Sequence, residues 1–279
     1  MSARAILITG CSTGIGHYCA GALKEHGWRV FATARKAEDV DRLTEEGFEA
    51  LRLDYTDHAS IAACVEEVTK RTGGKLDALF NNGAYGQPGA VEDLPVEALR
   101  AQFEVNVLGW HELIIQVLPI MRAQGHGRIV QNSSVLGLVA MKWRGAYTAS
   151  KFAIEALTDT LRLELRGTDI RVITLEPGPI TSQFPINSAK NLRANIDLEN
   201  SVHSAAYAKH LKMLDAGGTS SKVKLEPKAV CDKLIWALES PWPKAHYYVT
   251  FPTHLLATFR RILPQRMLDR FLIFASGKE

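Results

Sequence analysis

The sequence is poor in cysteine and has no clustered histidines. Its 279 residues include four cysteines, and no two of them form a Cys-x-x-Cys pair. The nine histidines form no His-x-x-x-His or His/Cys group with the spacing of metal ligands. Nothing at the N-terminus resembles a cleaved signal peptide. We therefore expect no bound metal and a reducing, cytoplasmic environment.

The sequence also lacks a long apolar run and a strong net charge. No uninterrupted apolar run reaches the roughly 18 residues that a membrane-spanning helix needs. The 33 basic and 30 acidic residues give a net charge of +3, which is too small to predict nucleic-acid binding. A small molecule is the expected partner. With 46% hydrophobic residues, the chain has enough material for one large core, and we expect residues 1–279 to form a single domain.

Short apolar segments alternate with amphipathic ones over the first two thirds of the chain. The predicted strands are residues 5–9, 29–34, 49–54, 77–80, 128–131 and 170–175, with residues 247–251 as a last strand. The segments between them carry one apolar stripe each, as helices that cover a parallel sheet should. The pattern predicts an α/β fold, namely a doubly wound, Rossmann-type parallel sheet in three α/β/α layers.

Two segments depart from this alternation. Residues 182–225 mix polar and apolar residues, and we expect short helices that form a lid over a substrate. Residues 253–279 form an amphipathic C-terminal extension in which apolar residues alternate with arginines, broken by Pro264. We expect this extension to pack over the substrate pocket or against a second subunit. Binding to a membrane surface is the alternative.

A glycine-rich turn follows the first predicted strand and precedes the first helix. Its sequence is Thr9-Gly10-Cys11-Ser12-Thr13-Gly14-Ile15-Gly16. In this context glycines allow the backbone to approach a pyrophosphate at a helix N-terminus. The same residues also fit Gly-x-Ser-x-Gly, which would make Ser12 the nucleophile of a hydrolase. That interpretation is disfavoured because a hydrolase elbow follows several strands, and residue 10 leaves no room for them.

Several motifs in a fixed order resemble the short-chain dehydrogenase/reductase family. They are the glycine-rich turn, Asn81-Asn82-Gly83-Ala84, Ser134, Tyr147-x-x-x-Lys151 and Pro177-Gly178. Within that family the chain is most similar to NADP-dependent bacterial aldehyde reductases and to the branch of retinol and 17β-hydroxysteroid dehydrogenases. One departure is that the family usually has Asn-Asn-Ala-Gly. Ala84 would be strained if its position required a positive φ.

The resemblance implies a catalytic set and its roles. Ser134 would bind the substrate oxygen, Lys151 would hold the nicotinamide ribose, and Asn106 would support a water chain to that lysine. Tyr147 would act as general acid in carbonyl reduction and as base in the reverse reaction. We expect the Lys151 ammonium and the oxidised nicotinamide to lower the pKa of Tyr147.

The resemblance also implies a set of cofactor-binding residues. These are Gly10, Ser12, Thr13, Gly14, Ile15, Gly16, Arg35, Asp54, Tyr55, Asn82, Lys151, Ile180 and Thr181. Ala34 occupies the place where NAD-selective relatives carry an acid, and Arg35 follows it, which suits a 2′-phosphate. We therefore predict NADPH as the cofactor. The alternative is that Arg35 begins an exposed helix and pairs with Glu38 and Asp39.

The expected substrate is an apolar aldehyde or ketone. Residues with apolar side chains lie between the catalytic serine and tyrosine and at the start of the lid, and mostly apolar linings are usual for ligand pockets. The predicted substrate contacts are Ser134, Met141, Trp143, Tyr147 and Phe184. A homo-oligomer, dimer or tetramer, is expected from the resemblance. Two other functions stay open: a non-catalytic NADP-binding regulator of the same fold, and the serine hydrolase.

Overall fold

The computed structural model describes residues 3–218 and 223–276, and these contain a seven-stranded sheet. All neighbouring strands are parallel, in the order β3-β2-β1-β4-β5-β6-β7. The strands are β1 Ala5–Ile8, β2 Arg29–Ala34, β3 Glu49–Arg52, β4 Ala78–Asn81, β5 His126–Asn132, β6 Asp169–Glu176 and β7 His246–Tyr248. The strand order reverses at β1, where neighbours are added on both sides, as in a Rossmann-type fold.

Eleven α-helices are present in the described part of the chain. They are α1 Gly14–Glu25, α2 Ala37–Glu45, α3 His58–Thr72, α4 Val96–Phe103, α5 Gly109–Gln124, α6 Gly145–Glu164, α7 Phe184–Asn195, α8 Ser204–Asp215, α9 Pro227–Glu239, α10 Phe251–Ile262 and α11 Gln265–Ala275. A π-helical turn, Glu104–Leu108, joins α4 to α5. A 3₁₀ turn, Val135–Gly137, follows β5.

Apolar residues of the sheet form two cores, one on each face. Helices α1 and α9 pack on one face through residues such as Leu23 and Leu234. Helices α3, α5 and α6 cover the other through residues such as Ile61 and Val117. Every residue of β1 is buried, which explains why its sequence is continuously apolar. The predicted three-layer, doubly wound α/β fold is therefore confirmed.

The last strand differs from its prediction. It spans His246–Tyr248, whereas residues 247–251 were expected to be extended. Phe251 instead begins α10, and Pro252 lies in the first turn of that helix. Proline has no N–H to donate to a strand neighbour, but its fixed φ suits the first turn of a helix.

The lid and the C-terminal extension are helical where they are described. Helices α7 and α8 share a small core of their own, built around Leu192 and Tyr207. Helices α10 and α11 pack through Leu256, Leu268 and Leu272 against the chain that follows β5. Residues 219–222 of the predicted lid and 277–279 of the extension lie outside the described residues. Within the described ranges, no helix combines the length and apolarity needed to cross a bilayer.

Candidate active site

The glycine-rich turn lies at the carboxyl end of β1 and leads directly into α1. Gly10 and Gly14 have φ values of 67° and 63°, which L-residues with side chains rarely adopt. Thr13 is the N-cap residue of α1, but its side chain caps no backbone N–H, and the first turn has no acidic residue. The first N–H groups of α1 and its positive dipole end are therefore suited to an anion such as a phosphate. Ser12, Ile15 and Gly16 complete this turn.

Asn82 connects the glycine-rich turn to the two neighbouring strand ends. Its side-chain nitrogen donates to the carbonyl oxygen of Thr9 at 2.9 Å, and its side-chain oxygen accepts from Asn132 Nδ2 at 2.8 Å. The Thr9 hydroxyl accepts from the Asn82 backbone N–H at 2.8 Å. Asn82, a predicted cofactor-binding residue, therefore holds the glycine-rich turn in place through its hydrogen bonds to Thr9.

The reversed order of Gly83 and Ala84 causes no strain. Among the described residues other than glycine, Trp143 alone has a positive φ, so the suspected strain at Ala84 is absent. A Cβ added at Gly10 would lie 2.5 Å from Gly83 Cα, so these two backbones touch. Gly83 therefore stands where the segment after β4 touches the glycine-rich turn at Gly10.

Asp54 and Tyr55 follow β3 but differ in where their side chains lie. Tyr55 is buried, and its hydroxyl is hydrogen-bonded to the Thr9 hydroxyl at 2.8 Å and to Asn81 Oδ1 at 2.9 Å. Burial raises the pKa of this phenol far above its usual value. Asp54 is half-buried and accepts hydrogen bonds from Thr56. Tyr55 thus supports the glycine-rich turn from inside the protein, and Asp54 alone of the two has a partly exposed side chain.

Arg35 is exposed at the end of β2, immediately after the buried Ala34. The acids that might have paired with it are bound elsewhere: Glu38 pairs with Lys36 at 2.9 Å, and Asp39 pairs with Arg42 at 2.9 Å. Within the described ranges, no hydrogen bond or ion pair involves the Arg35 guanidinium. The interpretation that Arg35 serves to pair with Glu38 and Asp39 is therefore wrong.

Tyr147 and Ser134 come together across the end of β5. Tyr147 lies in the first turn of α6, and Ser134 is the residue before the 3₁₀ turn. The Ser134 side chain is close enough to the Tyr147 hydroxyl to lower the pKa of the tyrosine. The Ser134 hydroxyl also accepts from the Leu136 N–H at 3.1 Å. The predicted serine–tyrosine pair is thus assembled by the fold.

The pKa of Tyr147 shifts in the direction opposite to the one expected. Burial raises it well above the usual value and outweighs the lowering by Ser134 and by the nearby Arg144. Arg144, the residue before α6, was not among the predicted site residues. Lys151, whose ammonium lies 5.6 Å from the ring centre of Tyr147, does not offset the effect of burial. The phenol is therefore held in its protonated form near neutral pH.

Lys151 lies one helical turn after Tyr147 and is almost completely buried, with 1% of its surface exposed. Its ammonium donates to the Asn132 carbonyl oxygen at 2.8 Å. It lies 4.3 Å from the ring centre of Trp110 and 5.6 Å from that of Tyr147, both within cation–π range. Burial lowers the pKa of Lys151 to about 7, and the Glu155 carboxylate opposes that shift.

Asn106 lies in the π-helical turn between α4 and α5, a type of irregularity that is frequent at functional sites. Its side chain accepts from the N–H of Tyr85 at 3.2 Å and donates to the carbonyl oxygen of the same residue at 3.0 Å. It also donates to the Ser150 hydroxyl at 3.2 Å, next to Lys151 in the chain. The structure therefore places Asn106 beside the tyrosine–lysine helix, fully buried.

Ile180 and Thr181 follow β6 at the same edge of the sheet. Ile180 is buried and forms a bridge with Leu225. The Thr181 N–H donates to the Leu225 carbonyl oxygen at 2.9 Å, and its hydroxyl donates to Glu226 at 3.0 Å. The side chain of Thr181 thus already has a protein partner.

The predicted substrate residues divide into two groups. Phe184 lies edge-on to Tyr147, with ring centres 5.2 Å apart, and Met141 packs in the same apolar cluster as Tyr147. Trp143 instead contacts His203 and Tyr207 beside the lid helices, at 4.9 Å and 5.6 Å between ring centres. Its φ of 64° is unusual for a bulky residue and directs the ring toward that neighbouring core.

One cluster of ionisable side chains was not anticipated from the sequence. Glu155, Glu176 and His246 have ligand-type atoms that all lie within 4.8 Å of one another. They come from α6, β6 and β7, far apart in the chain, so no spacing motif could reveal them. The i, i+4 relation of Glu155 to Lys151 was the one available indication in the sequence.

The fold and this site agree with the comparisons with known proteins. Residues 4–193 match the sequence model of the short chain dehydrogenase family. The chain belongs to the short-chain dehydrogenase/reductase family of oxidoreductases. It is 37% identical over 269 residues to the uncharacterized oxidoreductase YbbO of Escherichia coli K12, covering 96% of this chain and 94% of that protein.

Two further relatives cover nearly the whole chain. The NADPH-dependent 3-dehydrocapnine reductase of Ornithobacterium rhinotracheale is 32% identical, over 96% of this chain and 95% of its own. A crystal structure of a short-chain dehydrogenase from Streptomyces avermitilis superposes with a TM-score of 0.80 at 27% identity, covering 100% of this chain and 99% of that one. Membership of this family also argues against the hydrolase interpretation of Ser12.

Proposed function

We propose that the protein is an NADPH-dependent reductase of apolar aldehydes or ketones, with Tyr147 as the general acid. The observation that carries this proposal is the arrangement of the half-buried Tyr147 with the buried Ser134 and Lys151 at the end of the sheet that bears the glycine-rich turn. The nicotinamide supplies the hydride when it is bound. The side chains of this chain bind, orient and protonate the reacting carbonyl.

Ser134 and Tyr147 together offer two hydroxyl groups to one carbonyl oxygen. The hydroxyl of Ser134 donates a hydrogen bond where negative charge develops, and Tyr147 transfers its proton to the same oxygen. Because burial keeps Tyr147 protonated near neutral pH, the acid needed for reduction is present without further activation. The reverse reaction, the oxidation of an alcohol, requires the deprotonated phenol as its base.

Two features of the binding edge support NADPH. The uncapped N-terminus of α1 suits the pyrophosphate, and the free Arg35 guanidinium suits a 2′-phosphate. The relative from Ornithobacterium rhinotracheale is named as NADPH-dependent. In this proposal the residues after β6, Ile180 and Thr181, border the nicotinamide, and Lys151 holds its ribose.

The proposed substrate pocket lies between Tyr147, the first turn of α7 and the C-terminal helices. Met141 and Phe184 are its apolar walls next to the catalytic hydroxyl groups. The helices α7 and α8 act as the lid, and α10 and α11 close the opposite side through Leu268 and Leu272. Trp143, whose ring packs against His203 and Tyr207, stays a predicted substrate contact. An apolar body of the substrate fits this lining.

The decisive test is the substitution Tyr147→Phe. We expect NADPH oxidation with long-chain aldehydes to fall by at least about a hundredfold, within the range that one general acid contributes. NADPH binding, followed by cofactor fluorescence, should stay within about twofold of the wild type, since the phenyl ring keeps the packing with Phe184. Retained turnover in this variant would contradict the proposed role of Tyr147.

The same assay separates the reductase from the non-catalytic regulator. A regulator of this fold binds NADPH and turns over none of a panel of aldehydes and ketones of increasing chain length. If short, polar sugars are reduced faster than long-chain aldehydes, the proposed apolar substrate class is wrong.

The proposal includes a homo-oligomer, with a second copy of the chain on helices α5 and α6. Leu108, the last residue of the π-helical turn, precedes Ile115 of α5 by seven residues, and Phe152 and Leu163 lie eleven residues apart on α6, so each pair lies on one side. These apolar side chains are between 37% and 73% exposed. The C-terminal extension buries Leu256, Leu268 and Leu272 within its own chain, and membrane binding is not part of the proposal.

A further inference from the structure

The cluster of Glu155, Glu176 and His246 lies one helical turn behind the active-site lysine. His246 Nδ1 lies 2.7 Å from Glu176 Oε1 and 3.8 Å from Glu155 Oε2. Glu155 is 8% exposed and Glu176 is fully buried, whereas His246 is only half-buried. The cluster therefore extends from the interior near Lys151 to the protein surface at β7.

The carboxylates in this cluster have few hydrogen-bond donors of their own. Glu176 Oε1 accepts from the Thr174 hydroxyl, but its other oxygen and both oxygens of Glu155 accept no hydrogen bond within the described structure. Buried charges persist in proteins when they are paired with opposite charges. The charges available here are those of Lys151 and His246, two cations for two carboxylates.

Glu155 lies one helical turn after Lys151 on α6. The two residues are four apart on the same helix face, and both are more than nine-tenths buried. Lys151 is surrounded by Trp110, Tyr147 and a backbone carbonyl group, none of which carries a formal negative charge when the phenol is protonated. Because Glu155 raises the pKa of Lys151, it is our candidate for the counter-ion of this ammonium.

Further ionisable side chains surround Glu155 on α6 and on β7. Asp159 follows it on α6 and forms an ion pair with Arg162. Asp159 also lies 3.6 Å from His246 Nε2, so the histidine is placed between carboxylates on both ring nitrogens. Tyr248 on β7 is close enough to be influenced by Glu155 and Glu176. Among the cations of this set, Arg162 therefore pairs with Asp159, and His246 pairs with Glu176 and Asp159.

A bound divalent cation is the other chemistry that two carboxylates and an imidazole suit. The observed contacts favour ion pairing, because Nδ1 of His246 and the Thr174 hydroxyl already lie within hydrogen-bond distance of one Glu176 oxygen. Two cations and two carboxylates also balance without a metal ion.

We propose that Glu155 is a positioning residue that keeps the ammonium of Lys151 charged, and that Glu176 and His246 link the charge of Glu155 to the solvent. The effect on turnover rests on the proposed reductase function, whereas the effect on Lys151 itself does not. Burial lowers the pKa of Lys151 to about 7, and the Glu155 carboxylate raises it. Burial and the neighbouring Glu176 carboxylate raise the pKa of Glu155 itself to about 7, whereas Ser133 and His246 favour the ionised form of Glu155 on which the effect on Lys151 depends.

The test is the substitution Glu155→Gln, which keeps the shape and removes the charge. The pKa of Lys151 should fall by at least about one unit, which corresponds to about 1.4 kcal/mol. The full-length protein labelled at lysine Cε carbons reports this pKa by NMR titration, and the Lys151→Met variant identifies the signal. This measurement requires no turnover, so it stands even if the reductase proposal fails.

In the reductase assay the same substitution should move the alkaline limb of the pH profile. Because fewer lysine side chains stay charged, the rate at pH 8 should fall about tenfold relative to the wild type, in proportion to a shift of one unit. At pH 5.5, where Lys151 is charged in both proteins, the rates should agree within about twofold. A merely structural defect would lower the rate equally at both pH values.

Two variants complete the experiment. Glu164→Gln makes the same change at the exposed end of α6 and should leave the pKa of Lys151 unchanged. His246→Gln removes the cation that favours ionised Glu155, so the pKa of Lys151 should also fall, but by less than in Glu155→Gln.

An unchanged Lys151 pKa in Glu155→Gln overturns the proposal. The proposal is also overturned if the pH profile of the wild type shifts on adding Zn²⁺ or EDTA and that of Glu155→Gln does not. This result would show a metal site. If Glu155→Gln fails to fold, Glu155→Asp and His246→Gln decide, because the first should retain the wild-type profile and the second should not.

Discussion

At the scale of single residues, the choice between the two nicotinamide cofactors depends on one exposed arginine. Arg35 follows the last buried residue of β2, where relatives selective for NAD carry an acid. The neighbouring cations Lys36 and Arg42 bind Glu38 and Asp39, so neither of these carboxylates competes with a phosphate for the guanidinium of Arg35. A 2′-phosphate would therefore gain a full charge-assisted hydrogen bond at this position.

Replacing Arg35 by alanine should weaken NADPH binding and spare NADH. A hydrogen bond between charged groups contributes about 1.5 to 3 kcal/mol, so we expect the Kd for NADPH to rise by about 10- to 150-fold. The Kd for NADH should change by less than about twofold, because it has no 2′-phosphate. Paired fluorescence titrations of the purified protein measure both values.

The control for this prediction is the adjacent substitution Lys36→Ala. Lys36 is also exposed and basic, but it already pairs with Glu38. The Lys36→Ala substitution should change neither the affinity for NADPH nor the affinity for NADH appreciably. Equal losses for NADPH and NADH in the Arg35 variant would leave the fold assignment intact and refute the NADPH assignment.

At the scale of elements, the C-terminal helices contribute to the site by packing on the segment between Ser134 and Tyr147. Leu268 on α11 is 2% exposed and lies in the cluster that contains Met141 and Tyr147. Helix α10 contributes Phe259, whose ring is edge-on to Phe271 of α11 at 4.9 Å. The two helices therefore brace each other and the pocket wall at the same time.

Replacing Leu268 by alanine should destabilise the protein and impair the binding of long substrates. Large-to-small changes in a packed cluster cost about 2 to 5 kcal/mol, which chemical denaturation can measure. We also expect KM to rise more for long-chain aldehydes than for short ones. The substitution loosens the proposed pocket wall, which would contact the far end of a long aliphatic substrate. The adjacent Met267→Ala is the control, since Met267 is 54% exposed and should cost less than about 0.5 kcal/mol. Equal costs at both positions would refute the packing role.

Most strands and helices could be predicted from the sequence. The contacts between side chains of different strands and helices could not. Six strands and the glycine-rich turn follow from local patterns, because a buried parallel strand must be apolar and the turn must allow positive φ at Gly10 and Gly14. The orientation of Trp143 and the proximity of Glu176 and His246 depend on tertiary packing. No local pattern records which face of a neighbouring element a side chain will meet.

At the scale of the whole molecule, the exposed apolar stripes of α5 and α6 require an explanation. Leu163 is 73% exposed and Ile115 is 53% exposed, although both helices pack their opposite faces tightly on the sheet. Single exposed apolar residues are normal, but stripes on two helices of one sheet face are typical of an interaction surface. Association of two copies would bury both stripes at once, because a two-fold axis brings the same surface of each copy together.

Introducing charge into these stripes should therefore produce a monomer. In the double variant Ile115→Glu and Leu163→Glu, two carboxylates per chain would be buried without partners in the interface, which opposes association strongly. We expect the wild-type protein to have at least twice the chain mass in light scattering after size exclusion, and the double variant to have the mass of one chain. The control Val202→Glu alters a residue that is 86% exposed near the lid, and it should leave the mass unchanged. A wild-type protein that is monomeric at micromolar concentration, or a double variant that keeps its full mass, would show that α5 and α6 do not form the subunit interface.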